Sequence, residues 1–207
     1  MKIVVLGGGA QGRVLASDLA RALPRAAVTV ADLRDPKIAG VPNLCWQEAD
    51  LADASRLVGL MAPYDLVVGA LPSHLGYNAM RAAIEARRPM VDVSFCAEDP
   101  LTLDAQARRA GVSIVPDCGL APGLSHLCVG HAAADGLPDD VIIDVGGVAE
   151  DPARPYGYVV TWSLADLEEE YLRPARIVRD GRVQSVPTFS ELVIEEMSLC
   201  LACRACE

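Results

Sequence analysis

The sequence predicts an α/β protein, a doubly wound parallel sheet followed by an α+β segment. Three observations carry that prediction. Short Val/Ile/Leu runs alternate with Ala/Leu/Arg-rich stretches through the first 118 residues. The runs are continuously apolar rather than alternating with polar residues, the pattern of strands buried on both faces. A glycine-rich turn, Gly7-Gly8-Gly9-Ala10-Gln11-Gly12, joins the first run to the first helical stretch.

In chain order the strand-like runs are residues 2–6, 27–32, 44–48, 65–70, 89–93 and 112–116. The first helical stretch puts Val14, Leu15, Leu19, Ala22 and Leu23 on one apolar face; two more helical stretches span residues 74–87 and 101–109. Beyond Asp117 the texture changes. Residues 119–136 read as a capped helix entered through Ala121-Pro122-Gly123. Strands are expected at 141–148 and 158–163, a short acidic helix at 164–171, and a hairpin over 176–186 turned at Asp180-Gly181. The expected partition is therefore a nucleotide-binding domain at 1–118 and a partial α+β substrate domain at 119–207, whose C-terminal part is missing.

Of the 207 residues, 52% are hydrophobic and 22% charged, which excludes an intrinsically disordered chain. No apolar run is long enough to span a bilayer and no leader peptide precedes the first strand, so a cytoplasmic protein without membrane attachment is expected. A net charge of −10 argues against nucleic acid as a partner. Lys2 and Lys37 are the only lysines, which excludes chemistry needing a lysine in the second half. Seven cysteines in an uneven set read as reduced thiols. Cys200, Cys203 and Cys206 have a ligand-like spacing but lack a fourth ligand, so no metal is expected.

Gly7, Gly9 and Gly12 fit G-x-G-x-x-G, and Asp32 ends the second run 20 residues after Gly12. In a Rossmann-type unit Gly7 allows the tight turn, Gly9 admits the diphosphate, and Gly12 lets helix and strand pack closely. The diphosphate then rests on free N–H groups at the helix N-terminus, around Ala10 and Gln11. A carboxylate at Asp32 binds ribose hydroxyls and repels a 2′-phosphate, favouring NAD over NADP. Arg34 softens that preference if it pairs with a phosphate; the alternative is a solvated surface residue.

Ligands bind outside the carboxyl ends of the strands in such sheets. Those ends carry Asp32-Leu33, Asp50, Ala70-Leu71-Pro72-Ser73-His74, Ser94 to Asp99, and Asp117-Cys118. Leu33, Asp50, Ala70, Leu71 and Pro72 line the expected cofactor side, and Ser73, His74, Glu98, Asp99, Asp117 and Cys118 the substrate side. His74 is alternatively a helix-start residue without a chemical role, Asp117 a cap for the helix that follows, and Cys118 a small buried filler.

The stretches at 1–12, Leu71–His74 in sequence, 91–95, Val115-Pro-Asp-Cys-Gly-Leu-Ala-Pro-Gly123, Val145-Gly-Gly-Val148, Thr161-Trp-Ser163 and Tyr171-Leu-Arg-Pro-Ala-Arg176 carry a resemblance. The chain resembles the saccharopine dehydrogenase-like family, closest to its L-lysine 6-dehydrogenase branch, over roughly residues 1–196. The resemblance implies an NAD(P)-dependent oxidoreductase acting on an amino-acid C–N bond, homodimeric through its second domain. Hydride transfer to nicotinamide would leave an imine that water hydrolyses. By the same resemblance Ser73, Asp99, Gly146 and Trp162 contact substrate, and Cys118, placed by its strand end, joins them on the substrate side. Amine oxidation needs a base, for which Asp117, Asp99 and His74 are the candidates. The alternatives are a saccharopine- or carboxynorspermidine-type reductase, and a dinucleotide-binding fragment or redox sensor without catalysis.

Overall fold

The computed structural model describes residues 1–134, 136–143, 145, 160 and 163–190. It divides into two compact units with the boundary at residues 162–163.

In the first unit, six strands form one parallel sheet: β1 (Lys2–Leu6), β2 (Ala27–Asp32), β3 (Leu44–Glu48), β4 (Leu66–Gly69), β5 (Met90–Asp92) and β6 (Ile114–Val115). Their order is β3-β2-β1-β4-β5-β6. The strand order reverses between β1 and β4, which pair from Ile3↔Leu66 to Leu6↔Gly69. Ligands sit at that reversal in doubly wound sheets. Successive β1 side chains enter two different cores. Ile3 and Val5 pack with Val28, Val30, Ala16 and Ala20. Val4 and Leu6 pack with Val67, Met80, Met90 and Leu57. Burial on both faces is why the strands lack polar alternation.

The helices are α1 (Ala10–Ala22), α2 (Ala54–Met61), α3 (Ser73–Glu85) and α4 (Asp104–Ala110), with a 3₁₀ turn at Pro100–Leu103 before α4. In α1 the buried residues are Gly12, Ala16 and Ala20, while Val14 is 56% exposed. That corrects the expected face, on which only Leu15 and Leu19 are half-buried. The cause is Gly12. A Cβ there would lie 2.9 Å from the Gly7 carbonyl carbon, so the small-residue side has to face the sheet. Sequence reasoning named no helix at α2, although Asp53 accepts the Ser55 amide at 3.1 Å as its cap and Leu57 and Met61 are buried. Asn43, just before β3, donates Nδ2–H to the Ala20, Leu23 and Ala26 carbonyls at 2.9, 3.2 and 2.9 Å, closing the end of α1.

After β6 comes α5 (Leu124–Ala133), which starts later than the expected 119 and has no buried residue. Among the described residues of the expected strand at 141–148, Val141, Ile142, Ile143 and Val145 join no ladder, and Ile142 is largely exposed. The rest of that strand, and nearly all of the one expected at 158–163, lies outside the described residues.

In the second unit, α6 (Leu164–Leu172) is capped by Ser163, whose Oγ accepts the Asp166 amide at 3.3 Å. The hairpin has β7 (Ala175–Arg179) antiparallel to β8 (Arg182–Val186), with Arg179 opposite Arg182. Asp180 and Gly181 both take positive φ, 52° and 71°. Two left-handed residues make the turn whose twist matches a two-residue hairpin. Tyr171 stacks on Phe189 with ring centroids 5.6 Å apart.

Candidate functional site

The site is built at the carboxyl end of the parallel sheet. Gly7 ends β1 with φ +97°, and a Cβ there would stand 2.5 Å from the Ala70 carbonyl oxygen. The turn is pinned on both sides: Gly7 N–H donates to Ala31 O and Ala70 N–H to Leu6 O, each at 2.9 Å. Gly9 has nothing within 4 Å of a would-be Cβ. The first helical bond of α1 is Arg13 N–H to Gly9 O at 3.1 Å. The amides of Gly9, Ala10, Gln11 and Gly12 therefore have no acceptor among the described residues. Unpaired N–H groups at a helix start, beside an open glycine, suit a diphosphate.

Asp32 is half-buried at the end of β2. Its Oδ2 accepts the Gly8 amide at 2.7 Å and its Oδ1 the Arg34 amide at 2.9 Å. Each oxygen keeps a second lone pair, so the carboxylate is oriented without being used up. Its main-chain carbonyl accepts Trp46 Nε1–H at 3.1 Å and the Ala49 amide at 3.2 Å. Leu33 and Asp50 are exposed beside it, Asp50 Oδ1 accepting the Ala52 amide at 3.0 Å.

Beyond β4, Ala70 is half-buried, Leu71 buried and Pro72 exposed, and Pro72 precedes the first turn of α3. Ser73 is buried and His74 exposed. Asp99, half-buried, caps the 3₁₀ turn through the Leu101 amide at 3.0 Å. Asp117 is an exposed non-glycine residue at φ +57°. The capping alternative for Asp117 fails, because α5 begins at Leu124 and its cap residue is Gly123, whose amide donates to His126 Nδ1 at 3.2 Å. Gly146 and Trp162 lie outside the described residues.

Sequence reasoning overlooked Asp92. The last residue of β5 is a fully buried acid in an otherwise apolar strand, and that placement was its signal. Oδ1 accepts the Ser94 amide at 2.7 Å, and its main-chain carbonyl accepts the Cys118 amide at 2.9 Å. Oδ2 and the Ser94 hydroxyl are buried with no hydrogen-bond partner among the described residues. Burial raises the Asp92 carboxyl above the ordinary range; the Ser94 amide and then the adjacent Ser94 side chain oppose this, and the nearby Asp117 charge adds to it. Burial and then the charges of Asp92, Glu98 and Asp117 push the Cys96 thiol up to about 12. Cys118 is raised for the same reasons, by burial first and then by Asp92 and Asp117. Both thiols are therefore neutral at physiological pH and poor nucleophiles.

A glycine turn opening α1, an oriented acid ending β2 and a 3-2-1-4-5-6 sheet define a protein of the Rossmann class. Residues 3–115 match the family model described as saccharopine dehydrogenase NADP binding domain, and residues 119–203 the model for the saccharopine dehydrogenase C-terminal domain. The chain belongs to the saccharopine dehydrogenase-like family. It is 27% identical over 155 residues to saccharopine dehydrogenase [NADP(+), L-glutamate-forming] of Pyricularia oryzae, covering 72% of this chain and 34% of that one. It is 23% identical over 160 residues to alpha-aminoadipic semialdehyde synthase of Arabidopsis thaliana, covering 73% and 15%. Among solved structures, apo saccharopine dehydrogenase (L-Glu forming) of Saccharomyces cerevisiae aligns with a TM-score of 0.60 at 22% identity, over 90% of this chain and 44% of that one. The chain spans about a third of the length of the saccharopine dehydrogenases it matches. No helix among the described residues is long and apolar enough to cross a membrane.

Proposed function

We propose that this chain binds a nicotinamide dinucleotide and serves an oxidoreductase that oxidises a C–N bond of a small amino-acid substrate. The observation that carries the reading is the open, unpaired N-terminus of α1 at Gly9, joined through the Gly8 amide to Asp32. The residues fit the group. Gly7, Gly9, Ala10, Gln11 and Gly12 would hold the diphosphate, and Asp32, Leu33 and Asp50 the adenosine. Ala70, Leu71 and Pro72 would flank the second ribose. When bound, the dinucleotide accepts or donates a hydride. Residues 1–118 would form the cofactor-binding domain and 119–207 the substrate domain.

On the substrate side we assign Ser73, Asp99, Cys118, Gly146 and Trp162 to substrate contact, and Asp117, Asp99 or His74 to the base that deprotonates the amine. The left-handed backbone of Asp117 at a strand end supports that choice, since strained non-glycine residues gather at functional sites. An exposed carboxylate also attracts a cationic amine. Asp32 supports NAD. NADP is the second reading, favoured by the family description, by the relatives' names and by Arg34 beside Asp32. Oxidative deamination of the L-lysine ε-amino group is the reaction expected from the sequence. Cleavage of a saccharopine-type secondary amine is the reading that the relatives' names favour.

The test is fluorescence titration of the purified chain with NADH and NADPH, followed by reduction of NAD and NADP with L-lysine or saccharopine as substrate. Turnover identifies substrate and cofactor together. Dinucleotide binding without turnover supports the non-catalytic alternative. A folded chain that binds neither nucleotide refutes the reading from Gly7 to Asp32.

A further inference from the structure

We propose that Asp92 is a positioning residue for the nicotinamide half of the cofactor site, an inference that rests on the dinucleotide reading above. Two backbone segments meet on this one buried side chain and a third on the main-chain carbonyl of the same residue, and each runs directly into a loop at the ligand edge.

The first segment is the end of β4. Gly69 pairs with Asp92, and a Cβ on Gly69 would come within 2.8 Å of the Asp92 carboxyl carbon and nearer still to Oδ2. The carboxyl group thus occupies the space left by the missing side chain, directly below Ala70-Leu71-Pro72-Ser73. The second is the turn after β5, held by the bond from the Ser94 amide to Oδ1 at 2.7 Å. The third is the segment after β6, held by the bond from the Cys118 amide to the Asp92 carbonyl at 2.9 Å. Helix α3 packs on the turn after β5 that Asp92 holds. A Cβ on Gly76 would lie 2.5 Å from Ser94 Cβ and 2.8 Å from Cys96 Sγ. Neither Gly69 nor Gly76 has room for a side chain in this stack.

Stability alone does not account for an acid here. Among the described residues Oδ2 and the Ser94 hydroxyl are buried without hydrogen-bond partners, a penalty that an apolar residue of similar volume would avoid. The benefit of the acid is the register it imposes. In a doubly wound fold the β4–β6 half receives the second mononucleotide, whereas the adenosine half is anchored separately by Gly7–Gly12 and Asp32. A defect at Asp92 should therefore be felt by the nicotinamide and not by the adenosine diphosphate moiety.

The experiment compares affinities of the full chain for the reduced dinucleotide it prefers, NADH or NADPH, and for the matching ADP-ribose or its 2′-phosphate. Asp92→Ala, which removes both filler and acceptor, is expected to weaken dinucleotide binding about five- to tenfold and ADP-ribose binding less than about twofold. Asp92→Asn, which keeps the volume and an acceptor for the Ser94 amide, is expected to restore dinucleotide affinity to within about twofold of wild type. Equal weakening of both ligands, or of neither, by Asp92→Ala overturns the proposal. If that variant does not fold, Asp92→Ser carries the same comparison with the same two outcomes. A wild-type chain that binds neither ligand refutes the dinucleotide reading itself. A wild-type chain that binds both, with no selective loss in the variant, refutes only the role of Asp92.

Discussion

Replacing Gly12 and Gly9 separately by alanine divides the glycine turn into its structural and ligand-binding parts. At Gly12 the new Cβ would stand 2.9 Å from the Gly7 carbonyl carbon, 3.3 Å from Ala70 Cβ and closer still to the Gly7 oxygen. Carbon atoms rest at about 3.5 Å or more, so α1 must retreat from the turn by roughly half an ångström or more. The obstacle is main chain and cannot rotate away. Overpacking of this kind costs about 1–3 kcal/mol, against a gain of about 1 kcal/mol from replacing a helical glycine with alanine. The net effect is a loss of about 0–2 kcal/mol, or up to roughly 8 °C in Tm for a chain of this size. At Gly9 nothing lies within 4 Å of the added methyl, so Tm should stay within about 1 °C of wild type. The methyl would instead occupy the approach to the unpaired α1 amides and weaken dinucleotide binding by about tenfold or more. Thermal unfolding and NADH or NADPH fluorescence titration of both variants read the two effects separately. If Gly9→Ala binds as tightly as wild type, the turn is not a phosphate cradle. If Gly12→Ala gives Tm and affinity both unchanged, the close approach of α1 to the turn does not constrain the site.

Asp32→Asn removes the charge beside the adenosine position, and the ratio of NADPH to NADH affinity should move toward NADPH by about tenfold, as read by fluorescence titration; an unchanged ratio would detach Asp32 from ribose recognition. Asp92 is an acid raised in the folded state, chiefly by burial, so the native chain holds a proton that the unfolded chain releases above 3.8. Stability should therefore fall as pH rises from that value through the raised one, with Asp117, Cys96, Glu98 and Cys118 the titratable groups around it. Denaturant unfolding at several pH values should show Asp92→Asn gaining on wild type across that window, and parallel curves would contradict the shift. Native-state alkylation at pH 8, mapped by mass spectrometry, should modify exposed Cys45 and Cys128 well before Cys96, whose thiol is pushed up to about 12.

The sheet was legible because strands buried on both faces are continuous apolar runs, and because a glycine turn followed by an acid has a single spatial meaning in that context. Expected and observed bounds agree at β1, β2 and β3. They contract at β6, where only Ile114 and Val115 pair with β5. The orientation of α1 was misread because apolar periodicity favours the large residues Val14 and Leu23, whereas the carbonyl opposite Gly12 demands small ones. Asp92 was passed over because a strand ending in an acid looks like a strand entering a loop; only the three-dimensional neighbours Gly69, Ser94 and Cys118 reveal it as interior. The asymmetry has a physical origin. Local patterns encode which face is apolar, while close approaches between distant segments leave almost no mark on composition.

Asn43 gives the first unit a property that its sheet order alone does not. By holding the carbonyls of Ala20 in the last turn of α1, of Leu23 at its cap and of Ala26 before β2, it ties the fraying of that helix to the segment that enters the edge strand β3. Opening of the helix end is thereby coupled to that of the neighbouring strand and the edge strand. Amide protons in the final turn of α1 should accordingly exchange with solvent at the rate of the whole β1–β3 lobe rather than at the faster rate of a free helix end.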